Sequence, residues 1–175
     1  LDSFYSKVEH QIIYDADTMD ANLGYVAFFR NVHIHAPHAI KSGGFDMENY
    51  IESMGRWINM KQPFADRLFT DSAREVGEKR QERKRRLHKE LLTEKDNFDL
   101  NMKYGMVGVI DYFVNNTEDP NFSEQLSYLQ NKWIPERHKW LKEDGHKVDR
   151  EVARQSLSRV TDFCKDINEE AQGKK

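Results

Sequence analysis

Cysteine is almost missing from this sequence. A lone Cys164 excludes a disulfide framework within the chain and fits a reducing, cytoplasmic setting. No apolar run approaches the length of a membrane span, so a membrane partner is not expected. The pair Gly43-Gly44 lacks the spacing, and the following Lys-Ser or Lys-Thr, of a loop that cradles phosphate. No Ser or Cys stands in a nucleophile signature, and Cys164 falls on an apolar helical face, where a thiol is a core residue. The formal net charge of −3 is too mild to point to nucleic acid. No internal repeat is visible, and alternating strand patterns are hardly supported anywhere.

What remains is helical periodicity. Apolar residues make up 38% of the chain and charged residues 33%, a balance that suits one helical domain with wide solvated faces. The expected class is all-α, with about six to eight helices. The pattern predicts a helix over 3–14, carried by Phe4, Val8 and Ile12, and continuing through 15–29 on Met19, Leu23, Val26 and Ala27. Residues 32–44, with Pro37, Ser42 and the paired glycines, read as a loop. A helix over 46–61 is capped by Asp46, has Ile51, Met54, Trp57 and Ile58 on its inner face, and stops at Pro63. After a short turn of helix at 64–69, Thr70 or Asp71 caps a long helix to about Glu94, with Ser72 and Glu75 spaced as in a capping box. Acids are mixed among its many bases, so it reads as a solvated helix with Val76, Leu87 and Leu91 inward, not as a nucleic-acid face.

A second segment starts near Asp96. Its apolar positions from Phe98 to Val114 are helical in period, and Gly105 and Gly108 permit close packing or bending. Residues 115–121 form a loop, 122–143 a helix that Pro135 breaks or kinks, and 144–146 a turn. The last helix runs from 148 to about 170, with Val152, Leu157, Val160, Phe163, Cys164 and Ile167 inward, and 171–175 should fray.

The stretch that asks for a reason is Tyr14-Asp15-Ala16-Asp17-Thr18-Met19-Asp20-Ala21. It packs three carboxylates into six residues inside an otherwise core-like segment. A buried carboxylate must be paired, hydrogen-bonded or metal-bound. On a helix, Asp17 and Asp20 share a side, while Asp15 points elsewhere and could accept backbone N–H bonds near a helix start. Two helix caps and a surface acid would account for the cluster without any ligand.

Asp15-Ala16-Asp17, then Met19-Asp20-Ala21, Gly24 and Arg30, resembles the last metal-binding motif of HD-superfamily phosphohydrolases. The run from Phe64 to Arg74, followed by Arg80, Arg83 and Glu94, is similar to the helices that come next in that family. The resemblance spans about half the chain. It implies that residues 1–95 are the C-terminal part of an HD-like helical domain and that 96–175 are a helical extension packed on it. It also implies a divalent metal ion held by His and Asp side chains, with Asp17 as the final ligand, and a phosphorylated small molecule or nucleotide as substrate. Asp20 and Arg30 would order the surroundings of that ligand. The sequence departs from the family in having no His-Asp dipeptide, in Thr18 where an Arg is frequent, and in Asn22 as an extra residue before Gly24. Either the other ligands come from a longer protein, which a start at Leu1 without Met favours, or the metal site is lost.

His33, His35 and His38 crowd the expected loop, but their spacing matches no ordered zinc signature. In the HD reading His33 or His35 would border the active-site mouth and touch a phosphate. Two functions follow from these residues. One is a metal-dependent phosphohydrolase with its His and His-Asp ligands outside this chain. The other is a non-catalytic all-α interaction domain on the same scaffold. The substrate, the metal and the oligomeric state are left open by the sequence.

Overall fold

The computed structural model describes residues 7–116, 122–144 and 147–172. The chain is all-α: ten α-helices and no strand occur among the described residues. They are α1 (Val8–Asn22), α2 (Gly24–Lys41), α3 (Met47–Met60), α4 (Gln62–Asp66), α5 (Asp71–Glu94), α6 (Phe98–Tyr104), α7 (Met106–Asn115), α8 (Phe122–Tyr128), α9 (Ile134–Glu143) and α10 (Arg150–Ala171). Expected features at residues 3–6, 117–121, 145–146 and 173–175 lie outside the described residues.

Helix α2 is the axis of the fold. Phe28, Phe29, Val32 and Ala36 are fully buried on it. They meet Ile51, Met54 and Ile58 of α3, Leu87 and Leu91 of α5, Val109, Ile110 and Phe113 of α7, and Val160, Phe163 and Ile167 of α10 in one core. Residues from both sides of position 95 build this core. A smaller cluster, Leu23, Ala65, Leu68 and Ala73, seals the junction of α1, α4 and α5.

Three local readings change. Residues 32–41 are helix, not loop: α2 runs through Pro37 to Lys41. Pro37 removes the bond to the His33 carbonyl, which costs about 3 kcal/mol in a helix interior. Burial of Val32 and Ala36, on the stripe begun by Phe28 and Phe29, offsets that loss. The turn signals act only at the end, where Ser42 Oγ donates to the Ala39 carbonyl and Gly43 takes a φ of +75°. The helix expected to run unbroken through 15–29 breaks at Leu23, which is extended, and at Gly24, whose φ is +88°. Pro135 does not break its helix. It sits in the first turn of α9, directly after a π-helical turn over Leu129–Trp133 that links α8 to α9. The break at Gly24, a further one at Gly105 and the short α4 raise the helix number above the expected range.

The N-caps show how the sequence starts its helices. Asp46 accepts the Asn49 N–H at 2.8 Å, Thr70 accepts the Ala73 N–H at 3.2 Å, and Asp149 accepts the N–H groups of Glu151 and Val152. Thr70 is therefore the cap of α5, and Glu75 pairs with Lys79 one turn on.

Candidate functional site: the acidic cluster of the first helix

The inner side of α1 buries only Asp15 and Thr18. Asp15 turns inward toward the start of α5. Its Oδ1 accepts the Phe69 N–H at 2.7 Å, and its Oδ2 accepts the Thr70 N–H at 2.9 Å and the Thr70 hydroxyl at 2.8 Å. Thr70 in turn caps α5, so one carboxylate closes the beginning of another helix, where unpaired N–H groups and the positive end of the dipole favour an anion. Tyr14 packs edge-on against Phe69 beside it, ring centres 5.3 Å apart.

Asp17 and Asp20 lie on the exposed side of α1. Asp20 is paired: Arg30 of α2 reaches its Oδ2 at 3.2 Å and its backbone carbonyl at 3.4 Å, bridging the bend between the two helices. Both partners are largely exposed, so the pair adds little stability. Asp17 has no hydrogen-bond or ion-pair partner among the described residues. The cluster thus separates into three roles: one carboxylate spent on the fold, one on a surface pair, and one left open.

The histidines do not converge. On a helix His35 and His38, three residues apart, share one side and His33 points to another. His33 is half-buried with its ring 5.8 Å from that of Phe113, while His35 and His38 are exposed. No three His, Cys, Asp or Glu side chains among the described residues come together in a way that could hold a metal ion. The structure brings Asp20 to Arg30 but does not bring His33 or His35 to Asp17.

Behind the acidic helix lies a buried polar layer that the sequence reading missed. Lys84 of α5 is fully buried, and its Nζ donates to the Asn22 carbonyl, at the C-terminus of α1, at 2.9 Å. Lys61 holds the Asn22 side chain at 2.7 Å. On the other side of the break, Glu170 of α10 accepts the Val26 N–H of the first turn of α2 at 3.2 Å, with Arg83 4.0 Å from its other oxygen. A cation therefore sits at the end of α1 and an anion at the start of α2, each matching the local helix dipole. Burial pushes the Lys84 amine down to about 7, with nearby Lys61 and Arg85 adding to the fall and Glu170 opposing it. Burial raises the Glu170 carboxyl, partly offset by Arg80, by backbone N–H groups and by Arg83.

The same device recurs in the second half of the chain. Glu94, at the end of α5, accepts the Val107 N–H of the first turn of α7 at 3.0 Å and the Arg159 guanidinium at 3.1 Å. Asn101 and Ser156 complete that network, 2.6 Å apart. Positions 84 and 94 continue the inward register of Ala73, Gly77, Leu87 and Leu91, so a strict extension of the apolar stripe would have placed both inside.

Beside Asp15, between α1 and the start of α5, runs an apolar groove of about 420 Å³ lined by Ile12, Ala16, Met19, Ala73 and Val76 among others. Val8, Ile12 and Ile13 of α1 are 61%, 54% and 66% exposed. No described helix is long and apolar enough to cross a membrane. Compared with protein-family models, curated proteins and solved structures, the chain matches none.

Proposed function

We propose that this chain supplies the last carboxylate of a metal-dependent phosphohydrolase site of HD type, with Asp17 as the ligand and the His and His-Asp ligands contributed from outside residues 1–175. The observation that supports this reading is the division of labour within the acidic cluster. Asp15 already accepts three hydrogen bonds and Asp20 already faces Arg30, so Asp17 is the carboxylate of the three left open for a ligand. An anionic oxygen suits a hard or borderline divalent cation, whereas a lone carboxylate does not hold one against water. The ion, when bound, would lower the pKa of a coordinated water and polarise a phosphoryl oxygen. This chain's part is to present Asp17 from a helix fixed at both Asp15 and Asn22, with the Arg30–Asp20 pair setting the neighbouring turn. Exposed His35 and half-buried His33 stand on the adjoining helix as groups for a phosphorylated small molecule or nucleotide. A reducing, cytoplasmic setting accords with the buried free thiol of Cys164.

The test is metal content and phosphohydrolase activity of the protein encoded by the whole reading frame. Asp17→Asn should lose metal and activity together, and Asp15→Asn should retain more metal. Unchanged metal in Asp17→Asn would remove Asp17 from the site. The isolated 175-residue chain should bind divalent ions weakly.

The exposed apolar side chains of α1 favour a second reading, an interaction domain that works through this helix. Absence of a His and a His-Asp pair from the whole reading frame would replace the first reading with this one.

A further inference from the structure

Helices α5 and α10 run antiparallel, and charged side chains cross between them like rungs. Arg83 stands 4.0 Å from Glu170, Arg86 bonds Asp166 at 2.9 Å, and Arg159 bonds Glu94 at 3.1 Å. These contacts fix the register of the two helices. Within that register one rung is of like charge. Glu90 lies one helical turn from both Arg86 and Glu94, and Asp162 lies one turn from both Asp166 and Arg159. The two carboxylates therefore face the same gap.

Neither has a partner of opposite sign. Glu90 is half-buried and Asp162 exposed, and among the described residues neither makes a hydrogen bond or an ion pair. The nearest guanidiniums are engaged elsewhere, Arg86 with Asp166 and Arg159 with the buried Glu94 and with Ser156. A cavity of about 290 Å³ lies at this rung, with exposed Lys165 at its rim. Its inner wall is apolar: Leu87 of α5, Phe163 of α10 and Tyr25 of α2, the two rings edge to face at 5.1 Å. Burial raises the Glu90 carboxyl above its ordinary value; Arg86 and Arg159 oppose the rise, and Asp166 and Asp162 add to it.

We propose that this cavity binds a small organic ammonium ion, its N–H groups donated to Glu90 and Asp162 and its alkyl stem laid on Leu87, Tyr25 and Phe163. What the rung lacks is one positive charge, and a primary ammonium brings three donors to the open carboxylate oxygens. The aromatic wall suits the same ligand, since a ring face attracts a cation and packs its methylenes. An anion would meet two unpaired carboxylates. A chelated metal ion would need further ligands, and no third metal-ligating side chain among the described residues joins this pair. The site shares no residue with the acidic cluster of α1 and does not rest on the metal chemistry proposed there.

Titration of the isotope-labelled 175-residue chain with n-butylammonium chloride, against sodium chloride of equal ionic strength at neutral pH, tests the site by NMR. Amide shifts around residues 86–90 and 159–166 should saturate with a dissociation constant of about 1–10 mM, a range open to a ligand of about five heavy atoms. The Glu90 carboxyl should titrate at lower pH with the amine than without it, because a bound cation favours the carboxylate. Glu90→Gln should weaken binding at least roughly tenfold. Asp162→Asn should do the same, and its exposed position keeps the test open should Glu90→Gln fold poorly. Lys165→Met removes a competing cation and should bind at least as tightly as wild type. Shifts that do not saturate, the same shifts with sodium chloride, or wild-type affinity in both carboxylate variants would overturn the proposal. So would binding that requires Lys165, since that side chain repels an ammonium.

Discussion

The carboxylate of Asp15 grips Thr70 twice, taking its backbone N–H at 2.9 Å and its hydroxyl at 2.8 Å on the same oxygen. The other oxygen takes the Phe69 N–H at 2.7 Å. Replacing one oxygen by an amide turns an acceptor into a donor that faces other donors. Asp15→Asn should therefore lower stability by about 1–3 kcal/mol. Asp17→Asn, two residues away on the exposed side, should change it by less than about 0.5 kcal/mol. Urea denaturation followed by circular dichroism checks both. Equal effects would contradict the separate roles of the two acids.

Gly24 and Gly43 both have positive φ, but only one is crowded. A Cβ at Gly24 would run into the Glu170 carboxylate, whereas nothing lies near Gly43. Gly43→Ala should cost about 1–2 kcal/mol, the backbone term alone. Gly24→Ala should cost clearly more, because it also displaces the anion at the start of α2. Melting temperatures of the two variants would show the order, and an equal loss would mean that Glu170 moves aside freely.

Lys84 makes stability depend on alkaline pH. Its amine titrates near 7 in the fold against an ordinary 10.5, because burial disfavours the charged form. Between those values the unfolded chain holds a proton that the folded chain has shed, so this group's contribution to stability rises with pH across that window. Below it the amine is charged in both states and its burial penalty is fully present. Lys84→Met should remove this slope, so wild type should gain on the variant between about pH 7 and 10. Unfolding free energies of both proteins at several pH values test this, with parallel curves as the contrary result.

Cys164 should be chemically silent in the native protein. Burial pushes its thiol up to about 12, far from the range in which a thiolate attacks. Maleimide labelling at about pH 7.5 should be at least ~100-fold slower in the folded chain than in denaturant. Rapid native labelling would mean that α10 leaves the core transiently.

Much of this architecture follows from local chemistry. Leu87, Leu91, Val160, Phe163 and Ile167 sit inside because a 3.6-residue period places them on one stripe each. Asp46 and Thr70 begin helices because their side chains bond the next free N–H groups, an interaction confined to four residues. Such short-range causes are present in any window of the sequence. The bend at Gly24 was not legible, because the glycine permits a positive φ without requiring one. What requires it is Glu170, distant in sequence, together with burial of Leu23. Pro37 misled in the opposite direction, since the core contacts of Val32 and Ala36 outweigh one lost helix bond.

The acidic cluster divides along the same line. That Asp15, Asp17 and Asp20 share a helix could be read from spacing. Which of them is consumed by the fold depended on where residues 69 and 70 arrive, a contact across more than fifty positions. Lys84, Glu94 and Glu170 were hidden among many surface charges for the same reason. A buried ion is tolerated only where a helix end or a counter-charge meets it, and those partners are brought there by tertiary packing alone.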